Sequence, residues 1–238
     1  MRTIPNLHDF VHLLPDAIQD EIRQLSVERN LRKGETLYCK GDPSIELYRV
    51  IEGAIKLCIY SRDGREHVVG ELLPGDCLGE MGLMDGLPRG TNAVASRDSR
   101  ISVLSKRNFD DLYNRHPVIS QQLNVMLCRR LRVSFTLNED NFGLRLRERL
   151  ARVLHRLAYS HGHPDEQGRT CIKISHEALS KMVGASRQTV STELKSFERE
   201  GSIRLQYGRI LISDLKAFGD RYEAEAGIEQ VSPSYGRQ

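Results

Sequence analysis

The chain has 238 residues, of which 39% are hydrophobic and 28% charged, and a net charge of only +3. That size and balance suit one large domain or two ordinary ones with a real core, and exclude wholesale disorder. No apolar run approaches the roughly 18 residues of a membrane span, and the N-terminal stretch carries acids and a proline where a secretory signal needs an apolar core; a cytoplasmic protein with no membrane contact is expected.

Residues 6–30 space their apolar positions, Leu7, Phe10, Leu13, Leu14, Ile18, Ile22 and Leu25, as one or two short helices do. From Leu31 the texture changes. Ten glycines fall between Gly34 and Gly90, and the β-prone runs ELYRVI, AIKLCIY and REHVVGELL lie among them. Turn signals at residues 52–53, 62–64 and 74–76 recur as they do in a β-sandwich or jelly-roll barrel. After the glycine-rich loop GEMGLMDGLPRGTN (79–92), NAVASRDSRISVLS supplies further strands, so residues 31–106 are predicted to form one antiparallel β domain.

At His116-Pro117 the period becomes helical, with Pro117 in the first turn and the helix running to about Asn138. One stripe, Ile119, Leu123, Met126 and Val133, is interrupted by Arg130 and suits packing on the barrel. A second stripe, Ser120, Asn124, Leu127, Leu131, Ser134 and Asn138, is narrow and mixed like a coiled-coil seam, and predicts a parallel homodimer. The plainer alternative is burial of both stripes within one chain.

Residues 143–158 form another amphipathic helix, with Leu144, Leu150, Val153, Leu154 and Leu157 apolar and arginines opposite. In ISHEALSKMVGASRQTVSTELKSFEREGSIRLQYGRILI (174–212), Ser175 caps one helix, Gly184 makes a turn, and Ser186 caps a second helix whose apolar face is Val190, Leu194 and Phe197. The paired strands around Tyr207-Gly208 read as a wing. Arg187 and Gln188 then fall in the first turn of the second helix, where side chains reach base edges: Arg187 suits guanine, Gln188 suits adenine or a bridge across two bases. Thr192 is placed for a thymine methyl or a phosphate, and Lys195, Arg209 and Lys181 for backbone phosphates. Charge agrees, since residues 1–115 hold 16 basic against 18 acidic residues whereas residues 143–213 hold 13 against 7, a net +6.

Other chemistries find little support. The five cysteines are widely spaced with no C-x-x-C pair, so reduced thiols are expected, and the HGHP stretch at 161–164 reads as a solvated loop. No metal is expected. A metal-dependent jelly-roll enzyme needs clustered histidines, and residues 31–106 hold only His67, so the chain is not expected to be an enzyme. A purely structural nucleic-acid binder would show salt-sensitive binding without sequence preference.

The order of barrel, long helix and winged helix-turn-helix resembles the bacterial transcription regulators of the cyclic-AMP receptor protein and FNR family over about residues 10–215. GEMGL…PRGT is similar to that family's phosphate-binding cassette, and GASRQTVSTELKSFEREG to its recognition helix. The resemblance implies an α+β fold: a cyclic-nucleotide-binding barrel domain over 1–115, a dimerisation helix and hinge over 116–142, a DNA-binding domain over 143–215 and a flexible tail over 216–238. It implies that Gly79 and Glu80 form the glycine-glutamate pair, with Glu80 on the ribose 2′-hydroxyl and Arg89 on the cyclic phosphate. Gly90 and Thr91 then stand where backbone amides hold the same phosphate. Physical logic agrees: glycines let amides approach an anion, an arginine fork supplies charge, and an acid tolerates that company only if it meets a hydroxyl. Ser134 aligns with a base-contacting residue, and Phe135 stands where cyclic-AMP-responsive members carry a small hydroxyl; its ring would stack on a base or fill the pocket. Ser186 opens the recognition helix, and Thr192 replaces an arginine found in many members. The implied effector is cyclic AMP first, with cyclic GMP, cyclic di-GMP or no ligand as alternatives. The implied partners are a second copy of the chain, a promoter palindrome in double-stranded DNA, and RNA polymerase.

Overall fold

The computed structural model describes residues 2–5, 7–223 and 231–234, and the chain divides into two compact units, Asn6–Arg130 and Met1–Pro5 with Leu131–Gln238. Strand β1 (Arg2–Pro5) pairs in parallel with the last strand of the chain and belongs to the second unit.

The first unit opens with a 3-10 turn (Val11–Leu13) and α1 (Asp16–Leu25), then runs through β2 (Val27–Leu31), β3 (Thr36–Tyr38), β4 (Glu46–Glu52), β5 (Ile55–Tyr60), β6 (Glu66–Leu72) and β7 (Cys77–Leu78). A six-residue helix, α2 (Glu80–Asp85), occupies the start of the glycine-rich loop before β8 (Asn92–Ala95) and β9 (Ser99–Ser105). The strands make two antiparallel four-stranded sheets, ordered β2-β9-β4-β7 and β3-β8-β5-β6, as in a jelly roll. The β domain begins at Val27 and not at Leu31: β2 pairs along its length with β9, but only Leu31 of its five residues is buried, so the sequence carries no alternation there. Helices α3 (Lys106–Arg115) and α4 (Pro117–Gly143) follow.

Strand alternation sorts the core into two layers. Tyr48 and Val50 of β4 and Ile101 and Val103 of β9 face the barrel interior with Leu37, Ile55 and Leu72. Leu47 and Leu104 point the other way, to Phe10, Ile22, Phe109 and Leu112, and to Ile119, Leu123 and Met126 of α4. Ile119, Leu123 and Met126 of the expected barrel-facing stripe therefore bury here, whereas Val133 is half-buried and belongs to the second unit. Along the other stripe Leu127 is half-buried, and Leu131, Ser134 and Asn138 are exposed.

The second unit continues with α5 (Leu146–His161), β10 (His163–Pro164), β11 (Thr170–Lys173), α6 (His176–Val183), α7 (Arg187–Arg199), β12 (Arg204–Gln206), β13 (Arg209–Ile212), α8 (Leu215–Glu223) and β14 (Val231–Ser234). Its sheet, β10-β11-β13-β12, and four helices enclose Leu150, Leu154, Ile172, Val190, Leu194, Phe197 and Phe218.

Three expectations are corrected here. The HGHP stretch is not all loop: it ends α5 and pairs His163 with Cys171 of β11. The tail from residue 216 begins as α8, because Phe218 and Tyr222 bury against Phe197; residues 224–230 and 235–238 of the predicted tail lie outside the described residues. The arginines of α5 are not all opposite its apolar stripe. Arg152 is 1% exposed, and with Arg156 it pairs to Asp140, itself 1% exposed, in the last turns of α4. That buried cluster explains why α4 extends to Gly143, past the expected end at Asn138: the stabilising contact comes from α5 and has no signature in the local period.

Candidate functional site

The barrel site is built around Gly79, which enters α2 at φ +92°, the left-handed region that favours glycine. Its backbone position is also crowded, since a Cβ there would lie 2.4 Å from Nη1 of Arg89 and 2.9 Å from the Glu46 carbonyl oxygen. Any side chain at position 79 thus displaces Arg89. Arg89 is 5% exposed, donates from Nη1 to the Gly79 carbonyl (2.7 Å) and from Nη2 to the Glu46 carbonyl (2.6 Å), and holds its Nε–H buried without a partner. Beneath the guanidinium lie two tyrosine rings, Tyr38 at 4.6 Å and Tyr48 at 5.3 Å, themselves stacked at 5.8 Å.

Glu80 is 1% exposed, and one carboxylate oxygen accepts from Nη1 of Arg130 while the other, Oε2, is buried with no donor. Arg130 also donates to the Cys77 carbonyl at 3.0 Å. The residue that interrupts the apolar stripe of α4 is therefore part of the cassette, and that interruption was its signal in the sequence. Burial, helped by the Arg130 charge, pushes His8 down to about 3, so its imidazole is neutral beside this group. Gly90 is exposed with open space about its Cα, Thr91 is half-buried, and among the described residues no group accepts from either backbone amide.

In the second unit, Ser175 and Ser186 cap their helices, accepting from the amides of Ala178 and Thr189 at 3.1 Å each. Gly184 makes the turn at φ +66°. The Ser186 hydroxyl is thus engaged in the cap and with Thr189, so its part is to fix the start of α7. Arg187, Gln188, Thr192 and Lys195 are exposed together on that helix, and Arg209 is exposed on the wing. The Thr192 hydroxyl donates to the Gln188 carbonyl at 3.1 Å, which leaves its methyl as the group to offer. Lys181 is half-buried and paired with Glu177 at 3.4 Å.

The acids of α7 and of its C-cap are drawn off this face. Glu193 and Glu200 pair with Arg147 at 3.3 and 2.6 Å, Glu200 also with Arg221 at 3.1 Å, and Glu198 accepts from the Leu205 amide at 2.7 Å. His176, which carries no signal in the sequence, has its pKa lowered by burial and then by the Arg187 and Lys195 charges, which marks it as a neighbour of the basic face.

Residues 28–116 match the cyclic nucleotide-binding domain family, and residues 148–221 match the Crp-like helix-turn-helix domain family. The CRP-like cAMP-activated global transcriptional regulator of Mycobacterium tuberculosis is 31% identical over 208 residues, covering 87% of this chain and 92% of that protein. The chain belongs to the CRP/FNR family of transcription regulators. It is similar also to the cyclic AMP receptor protein of Thermus thermophilus, at 31% identity over 76% of this chain and 82% of the relative. Among solved structures, a CRP-family transcriptional regulator from Thermus thermophilus matches at 28% identity and TM-score 0.68, covering 82% of this chain and 96% of its own. The c-di-GMP responsive global regulator of Xanthomonas campestris matches at TM-score 0.76 over 84% and 100% of the two chains, but at 22% identity it speaks for the fold alone.

This CRP-family chain is accordingly a DNA-binding transcription regulator with a cyclic nucleotide-binding domain, and not an enzyme. Of the predicted ligand residues, Gly79, Glu80, Arg89, Gly90 and Thr91 lie in the barrel unit, within one helix entry and the loop that follows it. Ser134 and Phe135 lie on α4 beyond Arg130, in the second unit, where Phe135 is 57% exposed. Among the described residues, no three His, Cys, Asp or Glu side chains are grouped to hold a metal ion, and no helix is long and apolar enough to cross a membrane.

Proposed function

We propose that this CRP-family regulator is a cytoplasmic homodimer whose barrel binds cyclic AMP, and whose DNA-binding domains then read a promoter palindrome and recruit RNA polymerase. The observation that carries the effector is a complementary pair of unsatisfied buried atoms: Glu80 Oε2, an acceptor without a donor, and Arg89 Nε–H, a donor without an acceptor. Burying such groups costs free energy unless a partner arrives. A ribose hydroxyl beside a phosphodiester supplies one partner of each kind, and a bare phosphate or a neutral sugar supplies only one. The cyclic-AMP names of the relatives at 30–31% identity favour the adenine nucleotide.

Dimerisation is supported by α4, which leaves Leu131 54%, Phe135 57% and Phe142 91% exposed near one seam. Large apolar side chains in that spacing are what a second parallel helix would cover. Control follows if cyclic AMP binds more tightly to the dimer conformation that fits DNA, because only a differential affinity shifts the population.

Isothermal titration with cyclic AMP, cyclic GMP and cyclic di-GMP tests the effector. Tight binding of cyclic AMP is expected; a response to cyclic di-GMP alone would move the assignment to that dinucleotide, and silence with all three would overturn the cassette reading. For the DNA face, Arg187→Ala should cost about 1–3 kcal/mol and relax base choice at one position of the half-site. Binding-site selection from random duplexes reads this directly, and uniform weakening of all sequences would make Arg187 a phosphate contact.

A further inference from the structure

We infer that Tyr38 is a ligand-contacting residue of the barrel: its hydroxyl adds a donor for one exocyclic oxygen of the phosphodiester. The inference rests on the cyclic-nucleotide reading of the cassette and assigns a residue outside the GEMGL…PRGT stretch.

Tyr38 ends β3, is 9% exposed, and lies with its ring under the Arg89 guanidinium. Its strand partner in β8 is Ala93, two residues beyond Thr91, and it feels the Thr91 side chain and the charges of Arg89, Glu80 and Arg130. The companion ring differs, because the Tyr48 hydroxyl is committed to the Glu46 carboxylate at 2.6 Å. The Tyr38 hydroxyl has one O–H to donate. In the same cassette the Arg89 Nε–H and the amides of Gly90 and Thr91 are donors with no acceptor among the described residues. Burial raises the Tyr38 phenol above its ordinary value, so it stays protonated and able to donate at neutral pH. Several convergent donors with no acceptor are complementary to an anionic oxygen, which offers several lone pairs at once.

The test uses Tyr38→Phe in the full-length protein, which keeps the ring under Arg89 and removes only the oxygen. Cyclic AMP and its two phosphorothioate diastereomers, each with sulfur in place of one exocyclic oxygen, are titrated against both proteins. The variant should bind cyclic AMP about 10-fold more weakly, the worth of one hydrogen bond to a charged group. Sulfur accepts hydrogen bonds poorly, so for one diastereomer the effects of sulfur and of Tyr38→Phe should be non-additive, and for the other additive. Unchanged affinity for cyclic AMP, or additivity for both diastereomers, overturns the inference while leaving the cassette reading intact. Failure of the unmodified protein to bind any of the three overturns both. Tyr38→Leu serves as the packing control: if it matches Tyr38→Phe in affinity and in diastereomer pattern, the oxygen is the active part; if Tyr38→Phe is silent and Tyr38→Leu weakens binding, Tyr38 is only the shelf for Arg89.

Discussion

An Arg89→Ala variant should bind cyclic nucleotide roughly 100- to 1,000-fold more weakly, corresponding to about 3–4 kcal/mol of charge-assisted hydrogen bonding. It should also lose stability, because the carbonyls of Gly79 and Glu46 give up the donors that now satisfy them. The two effects separate by experiment. Denaturant unfolding reports the second, whereas calorimetry on the folded protein at low temperature reports the first. DNA binding measured at high protein concentration should persist, since Arg89 belongs to the barrel unit and the helix-turn-helix to the other. Undiminished nucleotide affinity in Arg89→Ala would remove the cassette from the nucleotide site altogether. Gly79→Ala should reproduce much of the loss with the guanidinium still present, because the added methyl occupies the place of Nη1.

The second large effect is expected at Asp140. Its carboxylate neutralises Arg152, which is 1% exposed and already holds Nε and Nη2 without partners. Asp140→Ala leaves that charge buried and uncompensated, which costs about 3–5 kcal/mol, a large share of the roughly 5–15 kcal/mol that holds a typical domain folded. Urea denaturation followed in the second unit checks this. Exchanging the pair for apolar residues, Asp140→Leu with Arg152→Leu, should recover most of the loss, since Arg156 retains some access to water at 12% side-chain exposure. A single Asp140→Ala variant as stable as the parent would show that the buried cluster contributes no net stability.

These sites differ in how far the sequence revealed them. The helix-turn-helix was legible because its signals are local: Ser175, Gly184 and Ser186 cap and turn the chain where caps and a turn were expected, and Val190, Leu194 and Phe197 bury at helical spacing. The cassette was legible in its short-range part for the same reason. Tyr38 and Tyr48 were not, since they reach Arg89 across sequence distances that no periodicity encodes, and Arg130 left only its break in the apolar stripe of α4, which does not name Glu80 as its partner. Strand β2 and the end of α4 failed for a related reason. An exposed edge strand has no alternation to detect, and the last turns of α4 are held by Arg152 and Arg156 from the next helix.

The fate of the glutamates of α7 and of Glu200 at its C-terminal cap bears on how genetic data for this protein should be interpreted. Arg147 lies behind the recognition helix, with its guanidinium 4.4 Å from the Phe197 ring and its charge spent on Glu193 and Glu200. Losing it would release Glu193 on the element that approaches a polyanion and leave Glu200 to Arg221, and repulsion from phosphates acts at the range of a Debye length, about 8–10 Å. A screen for operator-binding defects would therefore recover Arg147 alongside Arg187, although one guards the sign of the surface and the other is placed to read it. Salt sorts the two classes: a defect caused by stray negative charge fades as ionic strength rises, and the loss of a base contact persists.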